Sequence, residues 1–397
     1  MYRSIRRSLG LTLGLGIILL PAMGCTDRPD TLRIGATMSE SGAYATQGTA
    51  ARNGYLLCQE HLNEAGGILN RPVEFTILDD RSDPELAPEL YEKLISKHEV
   101  DAVMGPYGST LTEAVAPVTE AHEMIHISPL AATTSIWEQG REYLFMVLPP
   151  AELFLAGVMH LAAERDLNRI AVVKEDQLFP RAAGAGAQQT AEDLGLEVVF
   201  HTAYESGTED FSSILRQIRD GDVEVLAMAA SNLDDFIRMT EQLRDSSIDL
   251  KMFGSSGAVE EYIETLGEDG EYTYGLSAWE PTLDRPGIET FVADYQERFD
   301  RAPSFHAAGA YGSCRLFAKA AKEAGSIESG ALRTALLDMR TTTLFGPFEV
   351  DSRGYQIANQ GILIQWQDGE KAVVWPEEQA TAEPRFPTPP WDERGSD

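Results

Sequence analysis

From Leu32 onward the chain alternates short apolar runs with segments of helical periodicity, and it does so in two successive series. Leu32–Thr37 (LRIGAT), Val73–Leu78 (VEFTIL), Ala102–Gly105 and Ile125–Ser128 read as strands. Helical patterns separate them over Thr49–Glu64, Pro84–His98 and Ser109–Glu123, the last carrying Pro117 as a kink. Strands parted by helices pair in parallel, with helices over both faces of the sheet. After Pro149-Pro150 the pattern restarts. Helices are expected at Ala151–Arg165, Arg181–Leu194, Phe211–Asp220 and Leu233–Asp245, and strands at Ile170–Val173, Glu197–Phe200, Val225–Ala229 and Lys251–Gly254. Phe211, Ile214, Leu215 and Ile218 have the spacing that buries one helix face. The expectation is an α/β protein of two doubly wound parallel-sheet lobes. A length of 397 residues agrees, since single cores stop growing at about 250–300 residues. Three more helices follow, Pro286–Phe299, His306–Ala324 and Gly330–Met339. Strands Gly361–Trp366 and Lys371–Trp375 then pair about an Asp368-Gly369 turn. Segment 376–397, rich in Pro and acid, has no periodicity and is expected to wrap the surface or fray.

Ahead of this body, Arg3, Arg6 and Arg7 precede the twelve-residue apolar run Leu9–Leu20. The run is too short to span a bilayer as a helix but suits the apolar region of a signal peptide. Ala22, Gly24 and Cys25 follow, and A-M-G-C resembles a bacterial lipobox, in which the Cys becomes the lipidated N-terminus. Residues 1–25 are therefore read as a lipoprotein-type signal peptide and 26–30 as a spacer, with ordinary cleavage nearby as the alternative. The address implies export to the periplasm or cell envelope, with membrane attachment only through a lipid at Cys25.

The chain carries 32 Lys+Arg against 63 Asp+Glu, a formal net charge of −31. Loss of the address removes three arginines, leaving 29 bases against 63 acids, a net of −34. Such a surface argues against nucleic acid, because phosphate binding needs clustered cations. Cys58 and Cys314 are the only thiols of the mature chain, each inside an apolar helical pattern. The favoured reading is two buried free thiols, since a disulfide needs a proximity that spacing does not supply. Neither reads as a metal ligand, and no cofactor is expected.

Enzymatic signatures are weak. His122-Glu123-Met124-Ile125-His126 spells H-E-x-x-H, the zinc-peptidase motif. A zinc peptidase built on His122, Glu123 and His126 is the enzymatic alternative. It requires one continuous helix, whereas the helix is expected to end about Glu123 with a strand following. Gly254-Ser255-Ser256-Gly257 lacks the final glycine of a nucleophile elbow. Asp79-Asp80 follows a strand, as in some sugar hydrolases, but reads as a surface connection.

In open parallel sheets ligands bind beyond the carboxyl ends of the strands. The loops there are Ser39–Gln47, Tyr107–Thr110 and Ser128–Thr134 in the first lobe, and Lys174–Phe179, Ala230–Leu233 and Ser255–Gly257 in the second. They offer hydroxyls and backbone N–H groups but few acids or bases.

At IGATMSESGAYATQG (34–48), NEAGG (63–67), DDRSDP (79–84), VMGPYGS (103–109), ISPLAATTS (127–135) and AYGSCRLFAKAAKEAG (310–325), the chain resembles the type 1 periplasmic solute-binding proteins of ABC importers. The resemblance is to the branched-chain amino acid and amide receptor branch. It implies a periplasmic binding protein-like I fold whose lobes are joined by a three-stranded hinge, crossed near Pro149, Pro281 and Thr342. Lobe 1 would be 31–149 plus 282–342, lobe 2 150–281 plus 343–375, and 376–397 a tail. It implies a monomer that captures a small solute by hinge closure and hands it to a membrane permease, without catalysis. A sensing receptor of the same fold, feeding a signalling partner, is the alternative.

Carried over by position, the resemblance places Ser109 and Thr110 at the polar end of the ligand, although Ser109 could also cap its own helix. Leu130, Ala132 and Thr133 would complete that grip, with Ala132 standing where a hydroxyl is expected. Tyr44 and Gln47 would form a lid or side wall, with Tyr107 in the neighbouring loop. Phe179 stands where amino acid receptors often place a Tyr, and Ser256 where they place a Glu against the ligand's ammonium. Asp176, Asp235 and Glu280 are possible substitutes or simply solvated acids. Ser231, Asn232 and Trp279 would add hydrogen bonds and an aromatic wall. A solute with a carboxylate or amide head and a modest apolar body is expected.

Overall fold

A computed structural model of the chain describes Met1 and residues 31–394. The expected signal peptide, Cys25 and the spacer lie outside those residues, apart from Met1. No helix among the described residues is long and apolar enough to cross a membrane.

The first series runs β1 (Leu32–Met38), α1 (Ala45–Glu64), β2 (Val73–Asp79), α2 (Leu86–Ser96), β3 (Ala102–Met104), α3 (Ser109–Ala121), β4 (His126–Ser128) and β5 (Leu144–Met146). These strands form a five-stranded sheet in the order β2-β1-β3-β4-β5, parallel throughout. Tyr91 and Leu94 of α2 and Leu111 and Val115 of α3 cover one face as a separate apolar cluster.

The second series runs α4 (Ala156–Glu164), β6 (Arg169–Glu175), α5 (Leu178–Asp193), β7 (Glu197–Tyr204), α6 (Ser212–Asp220), β8 (Val225–Ala229), α7 (Leu233–Asp245), β9 (Met252–Ser255), α8 (Glu260–Leu266) and β10 (Tyr274–Ser277). Helices α9 (Ile288–Phe299), α10 (Phe305–Ala324) and α11 (Ser329–Asp338) follow. A two-stranded ribbon of β11 (Thr341–Thr343) and β12 (Gly346–Phe348) precedes β13 (Ile362–Gln367) and β14 (Glu370–Trp375). The second sheet has the order β14-β13-β10-β9-β8-β6-β7. Its portion β7-β6-β8-β9-β10 repeats the order of the first sheet, and β13 and β14 extend it antiparallel. Asp368 (φ 57°) and Gly369 (φ 79°) turn the last hairpin, both in the left-handed region that a tight two-residue turn needs. Two α/β lobes are thus present, and α9 and α10 return to pack against α1 of the first.

Several expectations change. Cys58 and Cys314 are joined in a disulfide, not left as free thiols. It staples α1 to α10, whose close approach rests on Gly54: a Cβ there would collide with the Ala307 carbonyl. The single helix expected over 151–165 is broken, with a 3-10 turn at Ala151–Leu153 ahead of α4. Gly186 of α5 lies against Glu152 with no room for a side chain, and Thr134 donates to the Glu152 carboxylate at 2.7 Å, so this turn is held separately. Strands β5 and β10 were not foreseen. The C-terminal segment wraps the second lobe instead of fraying. Thr388 donates its backbone N–H to Lys251 at 3.1 Å, and the Trp391 indole donates to the Ile248 carbonyl at 2.9 Å.

Candidate functional site

Strand order reverses between β1 and β3 in the first sheet and between β6 and β8 in the second. At such switch points the loops diverge and leave a crevice. The loops leaving β1, β3, β6 and β8 meet around a cavity of about 850 Å³, open solvent at its mouth included.

The loop after β1 is held by Asp79 and Asp80. Asp80 is fully buried and accepts from Thr37 Oγ1 at 2.7 Å and Ser39 Oγ at 2.6 Å. Burial holds its carboxyl above the usual range despite those bonds. Asp79 accepts from the Glu40 N–H at 2.9 Å. The pair is a clamp that includes a buried acid, not the surface connection expected. It presents Tyr44, whose backbone N–H donates to Ser82 Oγ at 3.0 Å, and Gln47 one turn into α1.

After β3, Gly105 (φ 79°) and Gly108 (φ 82°) take conformations that L side chains disfavour, and the chain turns into α3. Gly108 is the N-cap, with no side-chain capping bond. Ser109 therefore does not cap its own helix. Its Oγ accepts the N–H groups of Ala132 at 3.1 Å and Thr133 at 3.2 Å, tying the loop after β4 to the start of α3. The first-turn N–H groups of α3 and the positive end of its dipole face the cavity.

From the second lobe come Phe179, Ser231, Asn232 and Ser256. Phe179 packs edge-on against Phe154, with centroids 5.0 Å apart. The N–H of Ser231 donates to Glu175 at 2.8 Å, and Asn232 caps α7 by accepting from the Asp235 N–H at 3.2 Å. Ser256 Oγ lies 3.2 Å from both the N–H and the carbonyl of Ala230. Thr110 Oγ1 donates to Gln177 across the cleft at 3.4 Å. Burial, reinforced by Glu175, pushes the Tyr44 hydroxyl up to about 12, so it stays protonated.

The cavity thus gathers Tyr44, Gln47, Tyr107, Ser109, Thr110 and Leu130 from the first lobe with the four second-lobe residues above. It does not include Ala132, Thr133 or Trp279 in its wall. Ala132 and Thr133 spend their N–H groups on Ser109. Trp279 is buried edge-on against Phe291, 5.7 Å between centroids. Sequence reasoning missed Leu148, Phe154, Phe236, Tyr262, Phe305 and His306. Phe305 and His306 open the helix whose later turns carry a family-like motif, which was the available signal.

No Asp, Glu, Lys or Arg side chain lines the cavity among the described residues. Asp176 faces solvent, paired with Arg181 at 2.6 Å. Glu280 is buried with its counter-ion Lys371 at 3.4 Å. Behind the wall, Asp235 accepts from the Tyr204 hydroxyl at 2.8 Å, and Glu175 accepts from Ser206 as well as Ser231.

The H-E-x-x-H residues do not converge. His122 meets Glu92 at 3.2 Å on the surface, and Glu123 (φ 50°) lies beyond α3. His126 is buried in β4 between Thr119 and the Gly105 carbonyl, and burial pushes its pKa down to about 4. No group of three or more potential ligands could hold a metal among the described residues.

A sequence model of the family described as periplasmic binding protein matches residues 31–371. The chain is 25% identical to Leu/Ile/Val-binding protein homolog 8 of Brucella suis biovar 1, over 97% of this chain and 99% of that one. The fold matches the branched-chain amino acid transporter substrate binding protein LivJ of Streptococcus pneumoniae, solved with isoleucine. There the TM-score is 0.77 and the identity 23%, over 87% of this chain and 100% of that one. It also matches an ABC transporter solute binding protein of R. palustris solved with benzoate, with a TM-score of 0.77 and 18% identity, over 87% and 95% of the two chains.

Proposed function

Since the chain belongs to the periplasmic binding protein family, we propose that it is the solute-binding component of an ABC importer, capturing a small acid or amide between its lobes. Closure is a rigid rotation about the three chain crossings near Pro149, Pro281 and Thr342, with lobe 1 formed by 31–149 plus 282–342 and lobe 2 by 150–281 plus 343–375. The closed form is what a membrane permease would recognise. Cys25 is the proposed lipid anchor, and replacing it by alanine should release the protein from the membrane fraction.

The carboxylate or amide head lies at the start of α3, where Ser109, Thr110 and the free N–H groups compensate it. Phe154, Phe179 and Phe236 surround the apolar body. The observation that carries this reading is the uncharged wall. A buried ammonium without a counter-ion costs several kcal/mol, and the acids nearest the cavity are already engaged by Ser206, Ser231 and Tyr204. Calorimetric titration with leucine, valine, phenylalanine, short amides, urea and aromatic acids tests it. Aromatic or branched acids should bind and zwitterions should not. Micromolar binding of a zwitterionic amino acid would refute the solute class.

A further inference from the structure

His306 opens α10 and lines the cavity while only 4% exposed. Its ring lies against Phe305, 3.8 Å between centroids, and edge-on to Tyr107 at 5.4 Å. Its position is therefore fixed by packing on two sides. Yet neither imidazole nitrogen has a hydrogen-bond partner among the described residues, in contrast to His126, which is bonded at both. The Tyr107 hydroxyl beside it is likewise unbonded, and Gln47 Oε1, on the same lobe's wall, is buried without a partner. A buried polar group left unmade costs about 1–3 kcal/mol. Gln47 Oε1 is such a group, and His306 and Tyr107, which line the same cavity without a hydrogen-bond partner among the described residues, leave their polar atoms for a ligand to complete.

The chemistry of that ligand group follows from the groups present. Burial, with Lys371 adding to it, pushes the His306 pKa down to about 3, so the ring is neutral at physiological pH. A neutral imidazole offers one donor and one acceptor, and a phenol offers both. A second carboxylate would find no Lys or Arg in the wall, and an ammonium would find no carboxylate there. A methyl group would leave both residues unsatisfied. A hydroxyl can donate to one and accept from the other. We propose that His306, together with Tyr107, is a specificity-determining pair that reads a hydroxyl on the body of the bound acid. The solute class is then a hydroxylated carboxylate. This rests on the carboxylate reading above and narrows it.

The test compares benzoate and cyclohexanecarboxylate with their 3- and 4-hydroxy derivatives by calorimetry. The native chain, His306→Phe and Tyr107→Phe are measured in parallel. Both substitutions keep a ring and remove the hydrogen-bonding atom. At least one hydroxy acid should bind the native protein about tenfold to a hundredfold more tightly than its parent, the preference expected when a site's polar groups would otherwise stay unpaired. That ratio should fall to about one in His306→Phe, whatever the change in the parent acid's own affinity. If His306→Phe fails to fold, the same loss of ratio in Tyr107→Phe carries the test. Parent and hydroxy acids binding within twofold of one another, or a ratio that survives both substitutions, overturns the inference and leaves the carboxylate reading standing. Silence from every acid, parent and hydroxylated alike, overturns both.

Discussion

Replacing Cys58 and Cys314 together by alanine removes the disulfide between α1 and α10, and its effect on stability can be worked from the chain. The bond spans a sequence separation of 256 residues. In the loop-entropy account a cross-link closing roughly 100 residues is worth about 4.7 kcal/mol, and the dependence on length is only logarithmic. The expected ceiling here is therefore about 5 kcal/mol. Strands β6 to β10 of the second sheet lie inside the loop, and any structure they keep in the unfolded state shortens the flexible part. Halving the effective length lowers the figure by only about 0.6 kcal/mol. Native contacts that survive the substitution do not offset this term, because it acts on the unfolded chain. These include the bond between His61 Nδ1 and the Tyr311 hydroxyl at 2.8 Å and the approach at Gly54. Urea unfolding followed by fluorescence reads the transition through the chain's five tryptophans, of which Trp137 in the first lobe is buried at 1% exposure. Oxidised, reduced and double-alanine proteins should be compared, since reduction removes the loop constraint while keeping both sulfurs. A loss of about 3–5 kcal/mol is expected in both, with a steeper denaturant slope as the unfolded state expands. A loss below about 1 kcal/mol in the reduced protein would refute the reasoning.

His126 should make the protein acid-sensitive. Burial holds its folded pKa near 4, below the ordinary histidine value of about 6.5, so its contribution is complete above about pH 6.5 and is lost as pH falls towards 4. Relative to His126→Gln, the native chain should lose about 3 kcal/mol more between pH 7 and pH 4, measured as the shift in denaturation midpoints; parallel pH profiles would exclude it. Lys371→Met leaves Glu280 buried without its partner and should cost about 3–5 kcal/mol, most of it recovered when Glu280→Gln is added. Equal stability of the single and double variants in urea would contradict this. Ser256→Glu puts a carboxylate into the uncharged wall, so acid binding should weaken at least about tenfold by like-charge repulsion while leucine binding becomes measurable by calorimetry. Unchanged affinities for both would remove Ser256 from the site.

What was legible in the sequence follows from how far each signal reaches along the chain. Helix α7 was read to its final boundaries, because Phe236, Met239, Thr240 and Leu243 are buried at helical spacing. The last hairpin was fixed by Asp368-Gly369, a turn signal contained in two residues. Only the 3-10 turn Thr134–Ile136 precedes β5, and a seven-residue helix and a 3-10 turn precede β10, so no long helical pattern marked either strand by alternation. The loops around the cavity were foreseen because strand alternation alone decides which strand ends carry ligands. Phe154 and His306 were not, because each sits at the start of a helical segment and faces the cavity only once the lobes pack. Trp279 was misplaced for the complementary reason: it follows β10, and Phe291 of helix α9 covers it. The disulfide depended on the return of α10 to α1, and nothing local to either cysteine announces it.

The position of the charge carries the argument about selectivity further. The chain holds 63 acids, yet the cavity wall among the described residues has none. Glu175 and Asp235 come nearest and are turned to Ser231, Ser206 and Tyr204, so they brace the loops after β6 and β8 instead of meeting the solute. An uncharged wall cannot select by ion pairing. Selection then falls to hydrogen bonds whose unmade state is costly, and such bonds discriminate more sharply than apolar fit does. The start of α3 supplies fixed positive potential at that wall, and under the proposed reading it would orient an acid head first and leave its body to Tyr107 and His306. The same arrangement is what would let a strongly acidic protein hold the anion proposed for it. Charges on its outer surface act through solvent and are screened within about 8–10 Å at physiological salt, whereas the helix terminus acts at contact.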